Sequence, residues 1–139
     1  MSSQLLDAIA ISAHGMRAQG TRVRVATENI ANADTAASTP GGNPYTRQTI
    51  SFKNELDKTS GVDFVQVDKI GTDTKTPFRT EYRPDSPGAD KDGYVKLPNV
   101  NLMMEMMDVK EAQRSYEANL GMIDQAKSMV MRTIDLLRA

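Results

Sequence analysis

Every proline in this chain falls between residues 40 and 98: Pro40, Pro44, Pro77, Pro84, Pro87 and Pro98. Proline lacks a backbone donor and clashes with the preceding helical turn, so it bars a long helix wherever it recurs. The first 39 residues and the last 41 are free of that constraint. Methionine, which helices accept readily, is distributed the other way, with seven of nine between Met103 and Met131. Six of the seven aromatics sit in the proline-bearing stretch. The chain therefore reads as a mainly α protein with an N-terminal helix in residues 1–35, a β-rich middle over 36–98, and a C-terminal helix in 99–139.

Both arms carry seven-residue periodicity. In the N-terminal arm, from about Ser3 to Asn32, Leu6, Ala13, Gly20 and Thr27 recur every seven residues. Ile9, Met16, Val23 and Ile30 follow three positions later, completing a seam of coiled-coil type. The C-terminal arm, from about Asn101 to Arg138, would be roughly 57 Å of helix. There Leu102, Val109, Tyr116, Ile123, Val130 and Leu137 are seven apart, with Met106, Gln113, Leu120, Lys127 and Ile134 as companions. A middle that folds back between two such arms implies an antiparallel helix pair joined as a coiled coil. Ile11, Ala18 and Val25 in one arm, and Met122, Met129 and Leu136 in the other, lie off that seam. Covering these second stripes requires further neighbours, so they are the expected contacts between subunits of an oligomer or polymer.

The middle reads as short strands and turns. Strands are expected in Tyr45–Lys53, Val62–Ile70, Phe78–Tyr82 and Tyr94–Leu97, with loops at 71–76 and 85–92. Pro40-Gly41-Gly42 and Asp92-Gly93 are turn signals. Four short strands with few large residues make a small β element and not an enzyme core.

The residues that usually carry chemistry are scarce. With no Cys there is no disulfide, thiolate metal site or thiol nucleophile, and with His14 alone a His-dependent triad is out of reach. His14 reads as a packing or surface residue and not as a base. Asp90-Lys91-Asp92-Gly93 is similar to part of a calcium loop, but Gly88 and Asn99 stand where oxygen ligands belong, which leaves a plain turn. Glu105, Asp108 and Glu111 share helical spacing with Lys110 and Arg114 beside them, as on a solvated face. Arg17, Arg22 and Arg24 form a basic cluster without aromatics, in a chain of net charge −1, which makes nucleic-acid binding a poor alternative. No glycine-rich phosphate loop, apolar span of membrane length or basic leader is visible, so no cofactor, no metal, no small-molecule substrate, no catalysis and no cleaved signal peptide are expected.

Two terminal motifs carry a resemblance. Asn29-Ile30-Ala31-Asn32-Ala33-Asp34-Thr35 closes the first helix, and Ser115-Tyr116-Glu117-Ala118-Asn119, followed by Met122-Ile123 and Ala126-Lys127-Ser128-Met129, lies in the second. Both are similar to the signatures of bacterial flagellar rod and hook proteins. Within that family, Pro40-Gly41-Gly42-Asn43-Pro44-Tyr45 and the run Asp92 to Asn101 resemble the proximal-rod subunits. The resemblance covers essentially the whole chain. It implies terminal helices paired in a tube wall, a β-rich segment packed outside, and a torque-transmitting role in the basal body. It further implies helical stacking with copies of itself and other rod subunits, a periplasmic location, and passage through the flagellar export apparatus. Asn29, Ala31, Asn32, Thr35, Tyr116, Ala118 and Asn119 are the motif residues it singles out. Asn29, Asn32 and Asn119 are expected to satisfy backbone groups where helices meet the β element. The alternatives are another axial subunit or a soluble coiled-coil adaptor.

Overall fold

The computed structural model describes residues 2–138. The element order is α1 (Ser2–Ala31), β1 (Gln48–Asp57), β2 (Val62–Thr72), β3 (Arg79–Tyr82), β4 (Tyr94–Leu97) and α2 (Leu102–Arg138). Two long helices flank a small antiparallel β middle, and the helix ends fall within a residue or so of those expected. The four expected strands are present, with β1 and β2 running longer than their apolar residues suggest. They form two separate two-stranded sheets, β1 with β2 and β3 with β4, instead of one element.

Local chemistry sets the boundaries. α1 ends where Asn32 Nδ2 donates back to the Glu28 carbonyl at 2.9 Å and the Thr35 hydroxyl donates to Asn32 Oδ1. Thr39–Gly42 is a turn with Pro40 and Gly41 at its centre, closed by Gly42 N–H to Thr39 O at 2.9 Å. Gly41 supplies the φ of +75° that the third position of such a turn demands. The β1–β2 connection is built by Asp57, whose carboxylate accepts from Thr59 N–H and the Ser60 hydroxyl. These contacts hold the Asp57 carboxyl below its usual range, the Thr59 amide contributing most. Asn101 caps α2, its Oδ1 accepting from Met103 and Met104 N–H.

The chain divides into two compact units, each drawing on both helices and on the middle. The divisions expected at 35/36 and 98/99 separate helix from β middle and lie near the ends of α1 and α2. The first unit comprises residues up to Val23, Ser51–Lys69 and Lys110 onward. Within it the helices run antiparallel: Arg22 pairs with Glu111 at 3.7 Å, Gly15 faces Asn119, and Leu5 lies beside Val130. Its buried helix residues are small, with Ser12 and Ala18 on α1 and Ala112 and Ala126 on α2. A Cβ on Gly15 would stand 2.8 Å from Asn119 Nδ2, so glycine permits that approach. Phe64 of β2 closes the unit by stacking on the His14 ring, centroids 4.4 Å apart, which gives His14 the packing role expected of it.

The second unit comprises Arg24–Ile50 and Ile70–Val109. Its core is formed by Val25, Ala26, Ala33 and Ala37 with Val95, Leu97 and Val100. In the β3–β4 hairpin Arg79 pairs with Leu97 and Tyr82 with Tyr94. Val95 and Leu97 point inward while Tyr94 and Lys96 face out, the alternation of a half-buried strand. Gly88 is pressed against the Ala37 backbone, where a Cβ would come within 1.9 Å of the carbonyl oxygen.

Candidate functional site

The second unit is held by a knot of buried polar side chains. Asn29, in the last turns of α1, is 0% exposed and uses its whole hydrogen-bonding capacity. Its Nδ2 donates to Gln48 O at 2.9 Å and to Glu105 Oε2 at 3.1 Å. Its Oδ1 accepts from the Tyr45 hydroxyl at 2.9 Å and from Gln48 N–H at 2.8 Å. The Asn29 amide thus pairs both backbone groups of Gln48, as a neighbouring strand would. Asn99 bridges one residue earlier: its Oδ1 accepts from Arg47 N–H at 2.8 Å, while its Nδ2 donates to the Asp73 and Thr76 carbonyls.

Glu105 joins these two amides through Arg47. Only 2% exposed, it receives Arg47 Nε on one carboxylate oxygen and Asn29 Nδ2 on the other. Arg47 also lies 3.9 Å from Asp73 Oδ2. Asp73 is held below the usual carboxylate range by the Thr76 hydroxyl first, then by Thr76 and Lys75 N–H and the Arg47 charge. The Tyr45 hydroxyl is pushed up, chiefly by burial and then by the negative charges of Glu28 and Glu105. With both Glu105 oxygens and all of Asn29 engaged, this chemistry clamps segments together. A buried pair that loses one partner costs about 3–5 kcal/mol.

The motif residues fall in different places. Asn29 satisfies β-strand backbone groups as expected, and Asn32 serves the end of its own helix. Asn119 corrects the expectation: its Nδ2 donates to Ser115 O within α2, and it faces Gly15 of α1. Thr35 accepts Tyr45 N–H on its carbonyl, while Ala31, Ala118 and Tyr116 are exposed. Glu105 is a second correction, because it lies at the centre of the knot and not on a solvated face. No local signal marks it, since Asn29 and Arg47 are 76 and 58 residues away in sequence.

The expected seam is rotated. On α2 the buried line is Glu105, Ala112 and Ala126, with Asn119 between, flanked by the half-buried Val109, Ile123 and Val130. Leu102, Tyr116, Leu120, Ile134 and Leu137 were expected inside and are exposed, Leu137 at 83%. On α1, Ile9, Ala13, Met16, Val23 and Ile30 are half-buried and Leu6 is 62% exposed. Of the second stripes, Ala18 and Val25 are covered by the chain itself at 2% and 3%, which corrects their reading as subunit contacts. Ile11, Met122, Met129 and Leu136 are exposed, Leu136 at 79%. The small residues win the interior because they let the helix backbones approach closely. Near the end of α2 an apolar groove of about 400 Å³ opens between Leu5 and Met129, Val130, Thr133, Ile134 and Leu137.

The remaining features read as structure. Asp90 Oδ1 accepts from Asp92 and Tyr94 N–H, and Gly93 takes φ +85°, so this is the turn expected. Arg22 and Arg24 are paired with Glu111 and Glu28, which spends much of the basic cluster.

Comparison with known proteins gives the family. Residues 91–136 match the model described as "Flagellar basal body rod FlgEFG protein C-terminal". The chain is 50% identical over 129 residues to the flagellar basal-body rod protein FlgC of Agrobacterium fabrum, covering 93% of this chain and 92% of the relative. It is 35% identical to that of Salmonella typhimurium over 132 residues, 95% and 97% of the two chains. To that of Borreliella burgdorferi it is 38% identical over 152 residues, 96% and 98% of the two chains. The chain belongs to the FlgC family of flagellar basal-body rod proteins.

Proposed function

We propose that the chain is a structural subunit of the flagellar basal-body rod, in its proximal part. The observation that carries the reading is the likeness to rod proteins over almost the entire length of both chains. In this reading α1 and α2 pair as an antiparallel coiled coil in the wall of the rod and its export channel, and the residues between them form the outer element. Copies of the chain and other rod subunits stack helically on the exposed stripe of Ile11, Met122, Met129 and Leu136, and the long helices spread torque over several turns. The subunit reaches the periplasm through the flagellar export apparatus without a cleaved signal. Its role is structural and not enzymatic. The exposed apolar side chains of α2 support this assembly, because a contiguous apolar face of that kind marks an interaction surface.

One finding favours keeping a second axial subunit in view: the C-terminal match is to a model described for FlgEFG proteins. The height of the chain along an isolated rod separates the two. The primary test is complementation of a strain lacking this chain. Met129→Asp should keep full helicity yet fail to restore rods, and Val130→Asp should lose both. Normal rods and motility with Met129→Asp, or intact rods in the deletion strain, would overturn the proposal.

A further inference from the structure

The first turns of α2 invert the usual amphipathic rule. Leu102-Met103-Met104-Glu105-Met106-Met107 has one polar residue, and that residue is the buried one. Met103, Met104, Met106 and Met107 are all more than half exposed. Hydrophobicity cannot select this orientation, because any other face of these two turns would bury more apolar surface. Methionine packing cannot select it either, since the flexible thioether fills gaps of many shapes. The surfaces that α1 offers in this unit, Val25 and Ala26, are small and alike.

We infer that Glu105 is the registration residue of this unit, and that the Arg47 and Asn29 hydrogen bonds to its carboxylate turn the four methionines outward. A buried polar group that finds its partners in one arrangement only is a known means of fixing helix register. Here the alternatives fail by residue identity. A slip of one helical turn sets Leu102 or Val109 opposite Asn29, and a slip of seven sets Pro98 or Ala112 there. None of these accepts a hydrogen bond from a side chain. Asp108 is three positions on, but its carboxylate is one methylene shorter, and Asn101, four positions back, offers only an uncharged amide whose oxygen already caps α2. This inference rests on the fold and not on the rod reading, and it identifies Glu105 as a positioning residue for whatever the methionines meet.

The test is oxidation footprinting of the purified full-length chain with hydrogen peroxide, read as sulfoxide formation by peptide mass spectrometry. In the wild type, Met103, Met104, Met106 and Met107 should all oxidise several-fold faster than the half-buried Met16. A triple variant Asn29→Leu, Arg47→Met, Glu105→Met removes both charges of the buried Arg47–Glu105 pair together, and Asp73, which loses the Arg47 cation, keeps its Thr76 and Lys75 donors. It should stay helical while one or two of the four methionines slow several-fold as the helix turns them inward. Glu105→Gln, which keeps the side-chain length and one acceptor, should retain the wild-type pattern. The inference falls if the folded triple variant oxidises as the wild type does. It falls equally if that variant cannot fold, since the knot would then be needed for any packing and not for choosing one. Equal rates at Met16 and the four methionines in the wild type would also overturn it.

Discussion

Asn29→Asp is the most informative single change, because it alters one atom and leaves the shape of the knot intact. The wild-type Nδ2 sits 3.1 Å from Glu105 Oε2 as a donor, and aspartate would place a carboxylate oxygen there. Two unit charges at that distance repel by about 5 kcal/mol at an effective dielectric of ~20. The molecule has a cheaper course, which is to hold one proton between the two carboxylates. Near pH 7 that costs about 4 kcal/mol, from ~1.4 kcal/mol for each of roughly three pH units above an unfolded carboxylate pKa of ~3.9. The sign follows: the pair's folded pKa is raised, so its destabilisation is full at neutral pH and relieved as pH falls toward the unfolded value. By about pH 5 this protonation cost should shrink to roughly 1.5 kcal/mol, and the shared proton restores a donor toward Glu105, while the Gln48 carbonyl stays without one at either pH, at about 1 kcal/mol. Asn29→Ala serves as the reference. It strands Gln48 N–H and C=O, the Tyr45 hydroxyl and one Glu105 oxygen, at about 1 kcal/mol each, with no dependence of its own on pH. Urea unfolding of the three proteins at both pH values gives the comparison. A loss for Asn29→Asp that is equal at the two pH values would refute this account of the knot.

Two further changes probe other features. Gly88→Ala drives a methyl group into the Ala37 carbonyl, a backbone atom that cannot step aside, and should lower stability by about 3 kcal/mol or more. Gly20→Ala, in open space within α1, should raise it by up to ~1 kcal/mol; a similar thermal midpoint for the two variants would contradict the packing described. Asp73, whose carboxyl is held below its ordinary range, contributes stability that is present above an unfolded pKa of ~3.9 and lost as pH falls through the folded value. Asp73→Ala should therefore show a flatter fall in thermal midpoint below about pH 4 than the wild type, and parallel acid limbs would argue against it.

The helices and strands were legible because their signals are local. Prolines confined to 40–98 left both arms free to be helical, and Asn101 and Gly93 supplied a cap and a turn where the patterns changed. The interior face of α2 was not legible by the same route. Seven-residue counting favours the largest apolar residues, Leu102, Met106 and Leu120, whereas Ala112 and Ala126 form the contact. The repeat Glu105, Ala112, Asn119, Ala126 is visible in the sequence, but small and polar residues look like a solvent face until a close helix partner is known. Glu105 was read with Asp108 and Glu111 for the same reason. Asn29 was found because it lies in a motif, although its partners could not be named from a stretch of sequence that holds none of them.

The knot also dictates an order of events. Its groups come from residues 29, 45, 47, 48, 73, 99 and 105, so no contiguous fragment shorter than 77 residues contains them all. Contacts that distant in sequence form late, because the entropy of closing the intervening loops must be met before any bond repays it. A chain presented from its N-terminus can close the β1–β2 hairpin as soon as residue 72 is out, yet it cannot complete the second unit until Glu105 arrives. Up to that moment Asn29 and Arg47 lack the carboxylate that joins them, so the second unit stays incomplete until three-quarters of the chain has emerged.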